Sequence, residues 1–250
     1  MSFNPFSLAG RRILVTGASS GIGRQIAISC ADMGAAVVIT GRDPTRLDDT
    51  LGQLVGDGHT AVPADLLETG AIDRVVAASG ALNGVVHAAG IAKMVPFRMI
   101  SQAHLDTVLG LNVHVPLLLI KSLLAKRSLQ QGASIVFVGA VASEVGPVAT
   151  AVYSASKAAL LGAARTLALE VAKHKMRANV LSPGYVRTPL LDALGNTGAK
   201  IDALLDITPL GMGEPVDVAH AAVFLLSDAS RWVTRSLFIA DGGLTTRMSV

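Results

Sequence analysis

A single α/β domain built on a doubly wound parallel sheet of about seven strands is predicted by three observations. Short β-prone apolar runs alternate with longer helical stretches along the whole chain, which is the pattern of right-handed β-α-β crossovers with helices on both faces. The composition, 51% hydrophobic and 16% charged, suits a sheet buried on both sides. No Pro/Gly/Ser-rich linker, charge block or repeat divides the 250 residues, so one domain over 1–250 is the better reading.

Taken in order, Ile13-Leu14-Val15 is the first strand and runs into a glycine turn, after which Ile22 to Met33 carries helical spacing. Ala36 to Thr40 reads as the second strand, followed by a polar turn and a helix over Thr45 to Val55. Ala61-Val62, Val85-Val86 and Ile135 to Val138 are further strands, each flanked by amphipathic sequence. Asn179-Val180-Leu181 and Leu237-Phe238-Ile239 are the last two.

The turn Thr16-Gly17-Ala18-Ser19-Ser20-Gly21-Ile22-Gly23 follows the first strand and opens a helix. In that context glycines let backbone N–H groups and a helix N-terminus approach a pyrophosphate. Gly17 would permit the tight turn, Gly21 the close approach and Gly23 the helix–strand packing. A Rossmann-like site for a dinucleotide is therefore expected, with Ser19, Ser20 and Ile22 in the cradle. The second strand ends Thr40-Gly41-Arg42-Asp43, where NAD-binding sheets usually place an acidic residue for the adenosine ribose. Gly41 holds that place, and the Arg42 guanidinium suits the 2′-phosphate of NADP, with Arg24 in support. NADP(H) is expected over NAD(H). The competing reading leaves Arg42 as a solvated surface residue, and Asp43 either contests the ribose or caps the next helix.

Tyr153 and Lys157 are four apart on a predicted helix and so share a face. A free phenol titrates near 10, too high for an efficient base, and a nearby ammonium is expected to lower it. A formal charge of +3 without a Lys/Arg cluster argues against a nucleic-acid partner. The lone Cys30 cannot form an intrachain disulfide and reads as a buried structural thiol. The first residues lack the apolar core of a signal peptide, and the apolar runs are interrupted before membrane-spanning length. A cytoplasmic protein with no membrane partner and no metal site is expected.

Together with the glycine turn, Asp65, Asn112, Tyr153-Ser154-Ala155-Ser156-Lys157, Ser182-Pro183-Gly184 and Asp241-Gly242-Gly243 stand in one order. With this ordered set the chain resembles the short-chain dehydrogenase/reductase family over about Leu8 to Thr246, in the single-domain branch that includes the β-ketoacyl-acyl-carrier-protein reductases. The resemblance implies that Asp65, with Leu66 beside it, approaches the adenine and that Ala89 and Gly90 line the cofactor. Pro183, Gly184, Val186 and Thr188 would position the nicotinamide, with Thr188 holding its carboxamide. Tyr153 would be the acid/base and Lys157 would bond the nicotinamide ribose. Asn112 would hold a water behind the lysine, or else brace local backbone. The fourth strand, usually ending Asn-Asn-Ala-Gly in the family, here reads His87-Ala88-Ala89-Gly90, with His87 expected as a hydrogen-bonding structural substitute.

The resemblance also exposes a gap. The fifth strand of relatives ends in a serine that hydrogen-bonds the substrate oxygen, and Ala140 occupies that position. The alanine is an introduced change, or a native one compensated by another donor such as Ser143 or a substrate group, or the mark of a protein that binds cofactor without turnover. The implied activity is NADP(H)-dependent carbonyl reduction, reversible as alcohol oxidation. A sensor or scaffold is the rival, and a nonredox isomerase or dehydratase a weaker third.

The expected substrate is a small-molecule ketone or alcohol in a mostly apolar pocket. Candidate lining residues are Met94, Val95, Phe97, Val141, Val148, Tyr185, Leu190, Leu191 and Leu194, with Lys93 facing either an acidic group or solvent. By resemblance, Leu190 to Gly213 forms a mobile lid hinged on its glycines. The long helices Ser101–Lys126 and Ala151–His174, and the last strand with Trp232 near it, would form the two interfaces of a homotetramer, or of a homodimer.

Overall fold

The computed structural model describes residues 4–192 and 206–246. Seven strands form one parallel sheet: β1 (Arg12–Thr16), β2 (Ala36–Gly41), β3 (Thr60–Pro63), β4 (Leu82–His87), β5 (Leu129–Val138), β6 (Arg177–Pro183) and β7 (Leu237–Ala240). Their spatial order is β3-β2-β1-β4-β5-β6-β7, and every pairing is parallel. The order reverses between β1 and β4, which opens a crevice beyond the carboxyl ends of the strands. Register brings Thr16 beside His87, His87 beside Phe137, and Val138 beside Leu181, so the strand ends that build the site are level.

The helices are α1 (Gly21–Asp32), α2 (Pro44–Leu51), α3 (Ala71–Ser79), α4 (Gln102–Leu109), α5 (Val115–Ala125), α6 (Ala142–Val145), α7 (Ala151–Val171), α8 (Pro189–Asp192) and α9 (Pro215–Leu226). One face of the sheet packs Leu14, Val85, Ile135, Phe137 and Val180 against apolar residues of α3, α5 and α7. The other packs Ile13, Val15, Val37, Val136 and Leu181 against α1 and α9. Side chains of successive strand residues point to opposite faces. That is why the short apolar runs of the sequence feed both layers at once.

Several boundaries differ from expectation. The second helix ends at Leu51 with Gly52 as its cap, not at Val55. The fifth strand begins at Leu129, which pairs with Leu82 before the register shifts to Gly84 beside Ser134, so it takes in the polar, exposed Gln130-Gln131-Gly132. The stretch 102–125 is a continuous helix whose middle, Gly110–His114, is a π-helical turn. At 24 residues it is long and apolar enough to cross a membrane by length and composition, contrary to the expectation of interrupted runs. Half of its most apolar window is buried within the fold, where Leu119 and Leu123 are fully enclosed. Of the expected lid, residues 193–205, including Leu194, Gly195 and Gly198, lie outside the described residues.

Candidate active site

The glycine turn is built as the sequence demands. Gly17 has φ +67°, and a Cβ there would lie 2.7 Å from the Ala89 backbone. Gly21 has φ +54°, a region that favours glycine, and Thr188 packs over it at 3.3 Å from where a Cβ would stand. A Cβ on Gly23 would fall 2.3 Å from the Gly17 carbonyl oxygen, so α1 can enter this closely only with glycine. Thr16 Oγ1 accepts from Ala89 N at 3.1 Å and ties the ends of β1 and β4 together. The Ser20 side chain makes no cap hydrogen bond at α1. First-turn N–H groups, at the positive end of the helix dipole, remain for an anion.

At the end of β2, a Cβ on Gly41 would stand 3.1 Å from Ser19 Oγ, so Ser19 occupies the space an acidic side chain would need. Asp43 is the N-cap of α2: its carboxylate accepts from Arg46 N at 3.1 Å and pairs with the Arg46 guanidinium at 3.4 Å. It does not line the cleft. Arg42 is exposed and lines the cleft, with no hydrogen bond or ion pair among the described residues. Arg24, expected to assist, is committed elsewhere. It donates to Ser19 O at 2.7 Å and Arg46 O at 3.1 Å, bracing the glycine turn against α2. Asp65 lines the cleft with Oδ1 accepting from Leu67 N at 3.0 Å, which leaves its second carboxylate oxygen available.

These residues border a continuous cleft of about 320 Å³. Every expected cofactor residue lies on its walls: Gly17, Ser19, Ser20, Gly21, Ile22, Gly23, Arg42, Asp65, Leu66, Ala89, Gly90, Tyr153, Lys157, Pro183, Gly184, Val186 and Thr188. Uncapped helix N-terminus and glycine cradle together fit the pyrophosphate of a dinucleotide.

At the other end, α7 presents Tyr153 and Lys157, with Lys157 Nζ 5.9 Å from the Tyr153 ring centroid. Lys157 is buried and donates to the Val138 carbonyl at 2.8 Å. A Cβ on Gly90 would crowd Lys157 Nζ at 3.3 Å, so that glycine makes room for the ammonium. Burial pushes the ammonium down to about 8 and the Tyr153 phenol up to about 12. The expected lowering of the phenol by its lysine neighbour is therefore not found. Taking both groups out of water outweighs their attraction at this separation.

Asn112 does not line the cleft. Its Oδ1 accepts from Ile91 N and its Nδ2 donates to Ile91 O, both at 2.9 Å, and Nδ2 also reaches Ser156 Oγ at 2.9 Å. Ser156 Oγ in turn donates to Tyr153 O at 2.6 Å. The amide braces the end of β4 against α7, the local-brace alternative, and Oδ1 keeps one acceptor position free. His87 departs from expectation. Its ring stacks on Phe137 at 5.1 Å, burial pushes it down to about 3, and Nε2 has no partner among the described residues. It is a neutral packing residue rather than a hydrogen-bonding substitute.

Ala140 lines the cleft and offers only a methyl group. Ser143, the suggested substitute, donates its hydroxyl to the Ala140 carbonyl at 2.7 Å and lies off the cleft wall. Val141, Tyr185, Leu190 and Leu191 line the cleft as expected. Met94, Val95, Phe97 and Val148 do not, and Phe97 and Val148 are 79% and 89% exposed. Lys93 is exposed and off the wall too. Ile91, Ala92, Val145 and Pro147 take those places; each directly follows or flanks a motif, the one signal that could have found them. No group of three or more His, Cys, Asp or Glu is placed for a metal ion among the described residues.

A family model described as enoyl-(acyl carrier protein) reductase matches residues 17–245. An uncharacterised oxidoreductase of Methylorubrum extorquens is 35% identical over 246 residues, 95% of this chain and 98% of the relative. The chain belongs to the short-chain dehydrogenase/reductase family. A 3-oxoacyl-[acyl-carrier-protein] reductase of Aggregatibacter actinomycetemcomitans is 33% identical, covering 93% of this chain and 98% of that one. Among solved structures, a short-chain glucose/ribitol dehydrogenase of Brucella melitensis superposes with a TM-score of 0.90 at 30% identity, over 96% of this chain and 99% of that one. A protein of Agrobacterium tumefaciens assigned as a 2-deoxy-D-gluconate 3-dehydrogenase, with bound NADP, has a TM-score of 0.86 at 33% identity over 98% and 100%. This short-chain dehydrogenase/reductase is an NAD(P)-dependent oxidoreductase acting on CH–OH or C=O groups.

Proposed function

We propose that the enzyme is an NADPH-linked carbonyl reductase, reversible as an alcohol dehydrogenase, acting on a largely apolar ketone. One observation carries this reading. The paired phenol and ammonium of α7 stand at the apolar end of the same cleft whose far end holds the glycine cradle and the unpaired Arg42. Arg42 would hold the 2′-phosphate, the first turn of α1 the pyrophosphate, Asp65 the adenine amino group and Thr188 the nicotinamide carboxamide. When bound, the reduced nicotinamide supplies hydride to the carbonyl carbon. Tyr153, protonated up to about 12, is held in the acid form that reduction needs and gives its proton to the carbonyl oxygen. Lys157, pushed down to about 8, gains and loses a proton close to neutral pH and can return one to the phenol.

The substrate end is lined by Ile91, Ala92, Val141, Val145, Pro147 and Leu191, with no charged side chain there except Lys157 among the described residues. That favours an apolar ketone over a sugar acid. Ala140 favours the rival, a cofactor-binding protein without turnover. NADPH and NADH oxidation against a panel of ketones and β-ketoacyl thioesters decides between them. Turnover with NADPH preferred supports the reductase; tight NADPH binding with no turnover across the panel overturns it.

A homotetramer is supported by Leu117 and Leu118 on α5 and Leu169 on α7, all exposed, and by Trp232 and Ile239 near β7 at the sheet edge. The fully buried Cys30, with its thiol pushed up to about 12, is unreactive and consistent with a cytoplasmic setting.

A further inference from the structure

The chain contains two tyrosines, and both line the one cleft. Hydroxyl-bearing side chains on its walls are Ser19, Ser20, Tyr153, Tyr185 and Thr188. Ser19 and Ser20 belong to the glycine turn, and Thr188 packs over Gly21, so three of the five stand at the cradle. Tyr153 and Tyr185 are the hydroxyls left for the end where Ala140 withholds one.

Tyr185 is delivered there by a fixed backbone. Val141 N donates to Pro183 O at 3.0 Å, which lays the segment after Ala140 directly against the end of β6. Tyr185 O accepts from Gly213 N at 3.0 Å, and Val186 bridges to Gly213 as a short strand pair. Gly184 is pinned as well, since a Cβ there would meet Asp241 at 2.8 Å. A side chain on so restrained a backbone is the kind that positions a donor well. The Tyr185 hydroxyl has no hydrogen-bond partner among the described residues, and the ring is partly buried. The hydroxyl is not among the buried unpartnered atoms, so it stays accessible from the cleft and open to a ligand.

We propose that Tyr185 Oη donates the second hydrogen bond to the substrate carbonyl oxygen, in the place left by the alanine at 140. The proposal rests on the carbonyl-reductase reading. Tyr153 transfers its proton to that oxygen as hydride reaches the carbonyl carbon, while Tyr185 keeps its proton throughout and only stabilises the developing negative charge. Burial raises the Tyr185 phenol above its ordinary value, which favours the protonated, donating form.

The test combines Tyr185→Phe and Ala140→Ser, singly and together, with wild type. Removing one such donor costs roughly 100–1000-fold in turnover. Tyr185→Phe is expected to lower kcat by about that factor while NADPH affinity and KM move little. Ala140→Ser is expected to restore roughly tenfold or more in the Tyr185→Phe background, more than it adds to wild type, since two donors that act on one oxygen are not additive. Near-normal kcat in Tyr185→Phe, a loss expressed in KM alone, or a gain of about 100-fold from Ala140→Ser in wild type overturns the proposal.

A second readout is independent of turnover. With only two tyrosines, ¹³C labelling gives one Cζ signal each, assigned by Tyr185→Phe. Cyclohexanone added to the NADP⁺ complex is expected to move both signals; movement of the Tyr153 signal alone, or of neither, overturns the proposal. If no variant turns over any ketone, the reductase reading fails, and the Cζ signals alone decide whether Tyr185 is the donor.

Discussion

Lys157 is held in the interior with one hydrogen bond, to the Val138 carbonyl, and that arrangement has a stability consequence. Its ammonium, normally near 10.5, is pushed down to about 8 by burial alone. The difference corresponds to about 3 kcal/mol against the charged form. In the unfolded chain the lysine keeps its proton to near 10.5, while in the folded enzyme it releases it near 8. Between those values the unfolded state binds more protons, so stability rises with pH. The penalty is fully present below about 8 and removed as pH climbs toward 10.5. Integrating the linkage from pH 7 to about 9.5 gives a gain of about 2 kcal/mol from this residue. Lys157→Met keeps the length of the side chain, cannot charge, and leaves the Val138 carbonyl unpartnered at a cost of about 1–3 kcal/mol. At pH 7 the variant should therefore stand close to wild type, and by pH 9.5 it should trail by about 2 kcal/mol or more. Urea unfolding at fixed protein concentration over this range measures both slopes. Parallel slopes for the two proteins would refute the argument that burial strains the ammonium.

Gly23→Ala places a methyl group 2.3 Å from the Gly17 carbonyl oxygen, so the turn must open; loss of NADPH binding by fluorescence titration, with a lowered melting temperature, is expected. Arg42→Ala removes an unpaired cation beside the cradle and should weaken NADPH by roughly 10–100-fold while leaving NADH within about twofold, since a charged hydrogen bond is worth about 1.5–3 kcal/mol. Equal loss for both cofactors would mean that Arg42 holds no phosphate. Because the Tyr153 phenol is pushed up to about 12, the phenolate needed for alcohol oxidation is scarce at neutral pH. Oxidation kcat/KM should rise about tenfold per pH unit from 7 to 10, and a plateau near neutrality would contradict the buried, protonated phenol.

What the sequence made legible was whatever local geometry enforces. The glycine turn could be read because a left-handed φ and a missing Cβ leave their mark on the residue type itself, at Gly17 and Gly21. Tyr153 and Lys157 could be read because helical spacing alone places them on one face. The seven strands showed as apolar runs because both faces of the sheet are covered. What stayed hidden depended on contacts between distant segments. Nothing near Asn112 says that its amide closes on Ile91 and Ser156, and nothing near His87 says that it stacks on Phe137. Met94, Phe97 and Val148 read as pocket because they are apolar and follow motifs; side-chain direction, which the pattern does not carry, turns them away. The phenol–ammonium pair illustrates the same limit in energy, since the sequence shows the charge neighbour but not the depth of burial that overrides it.

The π-helical turn at Gly110–His114 has a consequence for how this chain can diverge. Each helical residue advances the side chains by about 100°, so a wide turn acts as a phase adjuster within one rod. Within it the helix must aim Asn112 at Ile91; downstream it must keep Leu119 and Leu123 on the sheet. Losing a single residue from 110–114 would restore a regular helix with the downstream half near its present phase, whereas losing one elsewhere in the rod would swing that half by about 100°. The exposed face carrying Leu117 and Leu118 would then turn out of place as well. Single-residue length changes in this rod are therefore absorbed at the wide turn and felt along the whole downstream face anywhere else.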